Sequence, residues 1–266
     1  MEQILTFKLI CPFWASFRNP STVNVHVTYP FPPLTTLYGF LNAARGMPQD
    51  WHQDRDNWQI SLVVESRGKL IETFSKIMKI YDGDKTKITE EEREKRILEG
   101  SSKGLFDRTT LIRQKLLGSC YIVYLKAKPD LLEDAKHALE DPKWPLYLGE
   151  SDDLVDVVSP HIVTESPKPV QHIHSIIPDI VEGCRLVNIP VRYYQIEKQE
   201  VKKKKQTEEK KEPWVADYRI YSLPPDKDGI ELAQTINAYD VEGRNIIFDE
   251  RNNDSSKAKP NVIRSS

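Results

Sequence analysis

The start of the chain alternates apolar with polar residues. Leu5, Phe7 and Leu9 are each separated by one polar residue, which is the period-2 pattern of a half-buried β-strand. The same alternation predicts further strands near residues 23–27, 58–66 and 69–77.

Two helices are predicted between strands of this kind. The first can have Thr35 or Thr36 as its N-cap and ends at Gly46. The second begins at Pro129 and stops before Pro142, because proline suits the first helical position and breaks a helix interior. Their apolar faces consist of Leu37, Phe40, Leu41 and Ala44 in the first helix, and of Leu131, Leu132, Ala135 and Leu139 in the second.

A polar stretch and a predicted hairpin separate the two helices. Residues 81–104 are mostly polar, and Thr89 to Glu92 match a capping box, so this segment is either a short polar helix or disordered. The runs 108–117 and 121–125 are β-prone and flank Gly118-Ser119, a dipeptide typical of a tight turn. They are therefore predicted to form a hairpin.

The order of these elements predicts an α+β fold. Strand, helix, two strands, insertion, hairpin and helix come close to the split βαβ pattern of an RRM/ferredoxin-like domain, here over residues 1–150 with an insertion at about 78–120. Helical periodicity disappears beyond it, so residues 151–250 are predicted to be a smaller β-rich C-terminal region. Residues 202–211 are expected to form a charged linker, and 251–266 a disordered tail.

Net charge argues against binding nucleic acid through bulk basicity, because 38 Lys and Arg residues face 40 Asp and Glu residues in the 266-residue chain. The distribution is uneven, however. Residues 101–128 carry a net charge of +5 and residues 1–49 one of +2, whereas residues 129–185 carry −8. The basic segment is either a solvated face or an edge that contacts phosphates.

Several classes of protein are disfavoured. No apolar run approaches the roughly 18 residues of a membrane span, and Glu2 and Lys8 interrupt what a signal peptide would keep apolar, so we expect a cytosolic protein without a membrane partner. The three cysteines lack the spacing of a zinc site and are odd in number, which disfavours a disulfide scaffold. No P-loop, G-x-S-x-G or H-E-x-x-H motif is present, and we expect neither cofactor nor metal.

Four segments resemble the Cas5 family of CRISPR-associated proteins, in the RAMP superfamily. The most specific are ASFRNP at residues 15–20 and YPFPPLTTLYGFLNAA at residues 29–44. Arg108-Thr109 leading to YIVYL at residues 121–125, and LYLGES at residues 146–151, are supportive. The similarity spans about residues 3–225, and the pattern is most similar to the type I-B branch.

The resemblance implies an RRM-like domain with a protruding thumb, in a non-catalytic subunit of a type I Cascade antiviral complex. Such a subunit caps the complex backbone and holds the 5′ handle of the crRNA. Its partners are a backbone subunit, contacted through the thumb, and a large subunit that reads the PAM, so that target DNA is met only indirectly.

Basic residues are the candidate RNA contacts, since a single-stranded handle exposes phosphates and base edges. Arg108 and Arg113 are the first choice for phosphate or base contact, because Arg can be bidentate and can stack on a base. The others are Lys103 and Lys115 for backbone neutralisation, and Arg18 and Arg45 for an N-terminal wall. Arg18 could instead brace the loop before Pro20. The nearby aromatic residues Phe17, Tyr29, Phe106 and Tyr121 could stack on bases or belong to the core.

The alternative is a metal-independent endoribonuclease that cleaves CRISPR repeat RNA, as in the type I-C branch of the family, through a Tyr, Lys and His arrangement. Tyr38 and the adjacent pair Lys136-His137 are the available residues, but the pair lies among acidic residues that a polyanion would avoid. His172 and His174 would share one face of a strand, yet lack an evident third metal ligand.

Overall fold

The computed structural model of the chain is mostly β-structure with two fully described α-helices, and it describes residues 1–22, 25–48, 51–80, 89, 91, 94–95, 98–99, 106–195, 214–249 and 262–263. Within the polar segment at 81–104, the described residues Glu91, Glu94, Lys95 and Leu98 are also helical. The helices are α1 (Leu34–Ala44) and α2 (Pro129–Glu140), and a 3₁₀ turn spans Arg55–Asn57. The strands are β1 (Glu2–Ile10), β2 (Trp14–Ala15), β3 (Val25–His26), β4 (Gln59–Ser66), β5 (Lys69–Ile80), β6 (Phe106–Leu117), β7 (Cys120–Lys126), β8 (Asp156–Glu165), β9 (Pro167–Ile173), β10 (Ile180–Val181), β11 (Arg185–Gln195), β12 (Trp214–Leu223), β13 (Ile230–Val241), β14 (Arg244–Ile246) and β15 (Val262–Ile263).

The main sheet has four antiparallel strands in the order β4-β7-β1-β8. Both of its faces are covered. On one face, Leu5, Phe7 and Leu9 of β1 pack in the same core as α1 and α2, and on the other face Ile4 packs with residues of β13 and β14. Burial on both faces explains why β7 reads as a continuous apolar run and not as an alternation.

The two predicted helices are confirmed, with one correction. α2 begins at Pro129 as expected, where the missing proline N–H costs no hydrogen bond. α1 begins at Leu34, with Pro33 at the cap position and no capping side chain. The predicted N-cap role of Thr35 or Thr36 is therefore wrong, because both residues already lie in the first helical turn.

The hairpin predicted around Gly118-Ser119 is wrong, although both of its runs form strands. β6 pairs with β5 over twelve residue pairs, from Lys69 with Leu117 to Ile80 with Phe106, whereas β7 pairs with β1 and β4. Gly118 has a φ of +69°, in the left-handed region that glycine reaches without steric cost. The chain uses this residue to pass from one sheet to the next.

The β-rich C-terminal region consists of a three-stranded sheet, β14-β13-β9, and a two-stranded antiparallel ladder of β11 and β12. The boundary expected near residue 150 falls before β8, which is a strand of the main sheet. The charged linker at 202–211 lies outside the described residues, as do most of the polar segment at 81–104 and of the tail at 251–266. Within that tail, β15 pairs with β10.

Candidate nucleic-acid interface

β6 is the centre of a second sheet, in which it pairs with β2, β3 and β5. Its odd-numbered residues share one face, because side chains alternate along a strand. Arg113 and Lys115 therefore lie on the same side, and His26 of β3 is directly opposite Arg113. The sequence places two predicted RNA contacts and one histidine on one surface.

Lys115 lies in a buried ion pair. Its side chain is 6% exposed, and its Nζ lies 3.2 Å from Oδ1 of Asp153, which is fully buried. The same Nζ lies 3.8 Å from carboxylate oxygens of both Glu150 and Asp152. This ammonium therefore offsets part of the negative charge of the only cluster of three acidic groups close enough to share a cation among the described residues. We assign Lys115 to the fold and not to phosphate neutralisation.

Asp153 also fixes the loop that carries these acids. One of its oxygens, Oδ2, accepts hydrogen bonds from the backbone N–H groups of Ser16 (2.7 Å) and Glu150 (3.1 Å). Gly149 makes this close approach to Ser16 feasible, since its φ is +116° and a Cβ there would lie 2.4 Å from the Ser16 carbonyl oxygen. The acidic segment thus folds directly onto the basic strand.

Gly149→Ala should lower the free energy of unfolding by about 3 kcal/mol, because it adds a clash to an unfavourable φ. Gly118→Ala is the matched control, since Gly118 has a positive φ but no atom within 4 Å of the Cβ position. It should cost only about 1 kcal/mol. Urea unfolding measures both, and equal losses would contradict the role of the Ser16 contact.

Arg113 and Arg18 keep donors available. Arg113 donates from Nη1 to Glu150 Oε2 (2.9 Å), and its side chain remains 22% exposed. Arg18 is exposed and makes no hydrogen bond or ion pair with any other described residue. Asn19 holds the loop before Pro20 instead, by accepting hydrogen bonds from Ser21 and Thr22. The bracing role considered for Arg18 therefore has no contact to support it.

Arg45, in contrast, is committed to two carboxylates. Its Nη1 lies 2.7 Å from Asp54, its Nε lies 2.7 Å from Asp134, and the side chain is only 6% exposed. Burial alone would raise the pKa of Asp54, but hydrogen bonds from Tyr38 and Arg45 hold it below its ordinary value. Arg45 therefore links the end of α1 to α2 through an ion pair, and little of its side chain is accessible to RNA.

The remaining candidate RNA contacts are two basic residues and several aromatic residues. Lys103 lies outside the described residues, and for Arg108 only the backbone, paired with Met78, is described. Phe17, Tyr29 and Tyr121 are buried in the main core, so they cannot stack on bases without unfolding. Among the described residues near β6, the exposed aromatic side chains are Phe13, Trp14 and Phe74, none of which was predicted from the sequence to contact RNA.

The sequence match decides the family. A family model described as CRISPR-associated protein (Cas_Cas5) matches residues 4–220. The chain belongs to the Cas5 family. No curated protein matches the sequence at a significant level.

Several solved structures are similar to this Cas5 chain, all with low sequence identity. A chain called "CRISPR RNA-guided surveillance complex" is 17% identical, with a TM-score of 0.49 over 88% of this chain and 90% of its own. "Crystal structure of Cas protein" is 19% identical, with a TM-score of 0.43 over 83% and 95% of the two chains. A CRISPR protein from Archaeoglobus fulgidus is 11% identical, with a TM-score of 0.45 over 92% and 98%. The assignment rests on the family match.

The residues considered for ribonuclease chemistry in this Cas5 chain are engaged elsewhere. Tyr38 is buried and donates its hydroxyl to Asp54, and burial raises the pKa of this phenol. Lys136 and His137 both lie within 4 Å of Glu140 on α2, and the His137 side chain is 73% exposed. This geometry is that of a solvated helix surface.

The other histidine pair and the cysteines have ordinary surroundings. His172 contacts Glu231 and the carbonyl of Asp228, and His174 accepts a hydrogen bond from the Asn245 backbone. The rings of the two histidines lie 4.8 Å apart, so they do share a face. All three cysteines are free thiols.

None of the described helices is long and apolar enough to span a membrane.

Proposed function

We propose that this Cas5 protein is a non-catalytic RNA-binding subunit of a type I Cascade complex, where it holds the 5′ handle of crRNA. The observation that carries the proposal is the family match over residues 4–220. The exposed Arg18 and the partly exposed Arg113, whose charges both act on the His26 ring, support it, because a subunit that only binds RNA needs donors for phosphates and no reactive group.

The topology supports an RRM/ferredoxin-like core for this role. Strand β1, helix α1, strands β4 and β7, helix α2 and strand β8 follow in chain order, and the strand order β4-β7-β1-β8 is that of a split βαβ sheet. We assign the long ribbon of β5 and β6 to the thumb. A backbone subunit would contact this ribbon, and the large subunit would lie at the PAM-reading end in a type I-B complex.

The proposed RNA-contact set changes with the structure. Arg18 and Arg113 stay in it, because Arg18 is exposed and the Arg113 side chain on β6 remains 22% exposed. Lys103 and Arg108 stay in it as sequence-based predictions. Lys115 and Arg45 are removed from the RNA-contact set, since each already forms an ion pair with a buried or shielded carboxylate. The interface is therefore smaller than the basic segment of the sequence.

Labelled repeat RNA, incubated with the purified full-length chain in EDTA, should be bound and remain intact. EDTA is chosen because the alternative enzyme would need no metal. Specific cleavage that disappears in His137→Ala would overturn the non-catalytic role, and absence of binding at low salt would overturn the RNA-binding role. Lys143→Ala is the control for effects of lost positive charge alone, because it removes an exposed lysine outside the proposed contacts.

A further inference from the structure

Two buried side-chain nitrogen atoms on neighbouring strands have no hydrogen-bond partner among the described residues. They are Nδ1 of His26 and Nε of Arg113. The two residues are register partners between β3 and β6, and His26 is 5% exposed. Nine buried side-chain atoms of the described residues lack a partner, and this pair differs from the others because its two residues are register partners and Arg113 also keeps exposed surface that a ligand can reach.

Arg18 completes a cluster around this pair. It forms a backbone bridge with Thr28, two residues after His26 on the same chain segment. The charged groups that act on the His26 ring are Arg18, Arg113 and Glu150. Lys115 and Asp153, further along the same face, neutralise each other. The imidazole therefore lies in the electrostatic field of two guanidinium groups and one carboxylate.

We propose that Arg18, His26 and Arg113 form a phosphate subsite for single-stranded RNA in which His26 binds a proton together with the phosphate. This inference rests on the proposed RNA-binding function and names one site for it. Arg18 and the exposed part of Arg113 contact the phosphodiester, since a guanidinium offers five donors and Glu150 uses only one of those of Arg113. His26 is a positioning residue that acts through the two arginines.

The electrostatics give the direction of the coupling. Burial, followed by the positive charges of Arg18 and Arg113, lowers the pKa of His26 below its ordinary value of 6.5, while Glu150 opposes them. A phosphate bound to the two guanidinium groups cancels their effect on the ring. The pKa of His26 therefore rises on binding, and the protein takes up a proton with the RNA.

The consequence is RNA affinity that depends on pH. Affinity should increase as pH falls through the raised pKa of the complex, by up to about tenfold per pH unit for one proton. It should stop increasing below the lower pKa of the free protein. Above the pKa of the complex, His26 is neutral in both states and the affinity should be constant.

Affinity for a single-stranded RNA oligonucleotide from the 5′ part of the repeat should be measured with the full chain between pH 5.5 and 8. The wild-type protein and His137→Gln, a change of an exposed histidine, should show the same pH dependence. His26→Gln should bind with little pH dependence. An unchanged slope in His26→Gln overturns the subsite and leaves RNA binding intact, whereas no binding at any pH overturns the proposed function itself.

Nuclear magnetic resonance titration of the wild-type protein keeps the inference testable if His26→Gln does not fold. The His26 ring should titrate at a higher pH when the RNA oligonucleotide is bound. An equal or lower pKa in the complex would overturn the subsite.

Discussion

Lys115→Met should lower the free energy of unfolding by about 3–5 kcal/mol, the range for breaking one partner of a buried ion pair. The variant leaves Asp153 without its closest cation, at a position with 0% exposure. Methionine keeps the volume of the aliphatic stem, so the loss reports the charge, including the contact of Nζ with the Trp14 ring 4.9 Å away, and not the packing. Urea unfolding of the full chain measures the effect.

The matched control is Lys69→Met on β5. Lys69 is exposed and pairs with Leu117, two residues from Lys115 along β6, so it carries the same substitution without a buried carboxylate. It should change the free energy of unfolding by at most about 0.5 kcal/mol. A loss in Lys115→Met as small as in the control would show that this pair does not hold the acidic loop on β6.

The double variant Arg18→Ala, Arg113→Ala should bind single-stranded RNA at least about tenfold more weakly at low salt, which is about 1.4 kcal/mol. A plot of the logarithm of the association constant against the logarithm of the salt concentration has a negative slope, and each lost phosphate contact should make it less steep by about 0.7. Fluorescence anisotropy over a salt series gives both quantities. The effect should shrink as salt rises, because the missing contacts are electrostatic.

Glu150→Gln is the informative counterpart of this double variant. It removes the carboxylate that accepts from Arg113, so RNA affinity should increase. Lys143→Ala together with Arg185→Ala removes two exposed charges elsewhere and should leave most of the affinity intact. If this control pair weakened binding as much as the double variant, net charge and not a defined site would govern binding.

Local patterns predicted the main sheet and its helices well. The alternation of Leu5, Phe7 and Leu9, the amphipathic run after Pro129 and the apolar run of β7 each determine their own element. Strand partners were harder to predict. β5 and β6 pair across residues 81–105, and Gly118 looks like a hairpin turn although it connects two sheets. Nothing local to the dipeptide distinguishes these two uses.

The candidate site was predicted less well, for a related reason. Lys115 and Arg45 look like Arg113 and Arg18 in sequence, and their partners Asp153 and Asp134 are 38 and 89 residues away. Charge counted by segment separated a basic strand from an acidic region, but folding brings these two together. His26 was missed because a lone histidine in a β-prone stretch carries no signal until its neighbours are known.

Cross-linking tests most directly whether this protein holds the 5′ handle of crRNA. Full-length chain assembled with crRNA and the other subunits should be cross-linked by ultraviolet light, and the attached nucleotides should be identified. Cross-links within the 5′ handle that weaken in the Arg18→Ala, Arg113→Ala variant are the predicted result. Cross-links confined to the spacer or the 3′ end, unchanged in that variant, would contradict the account.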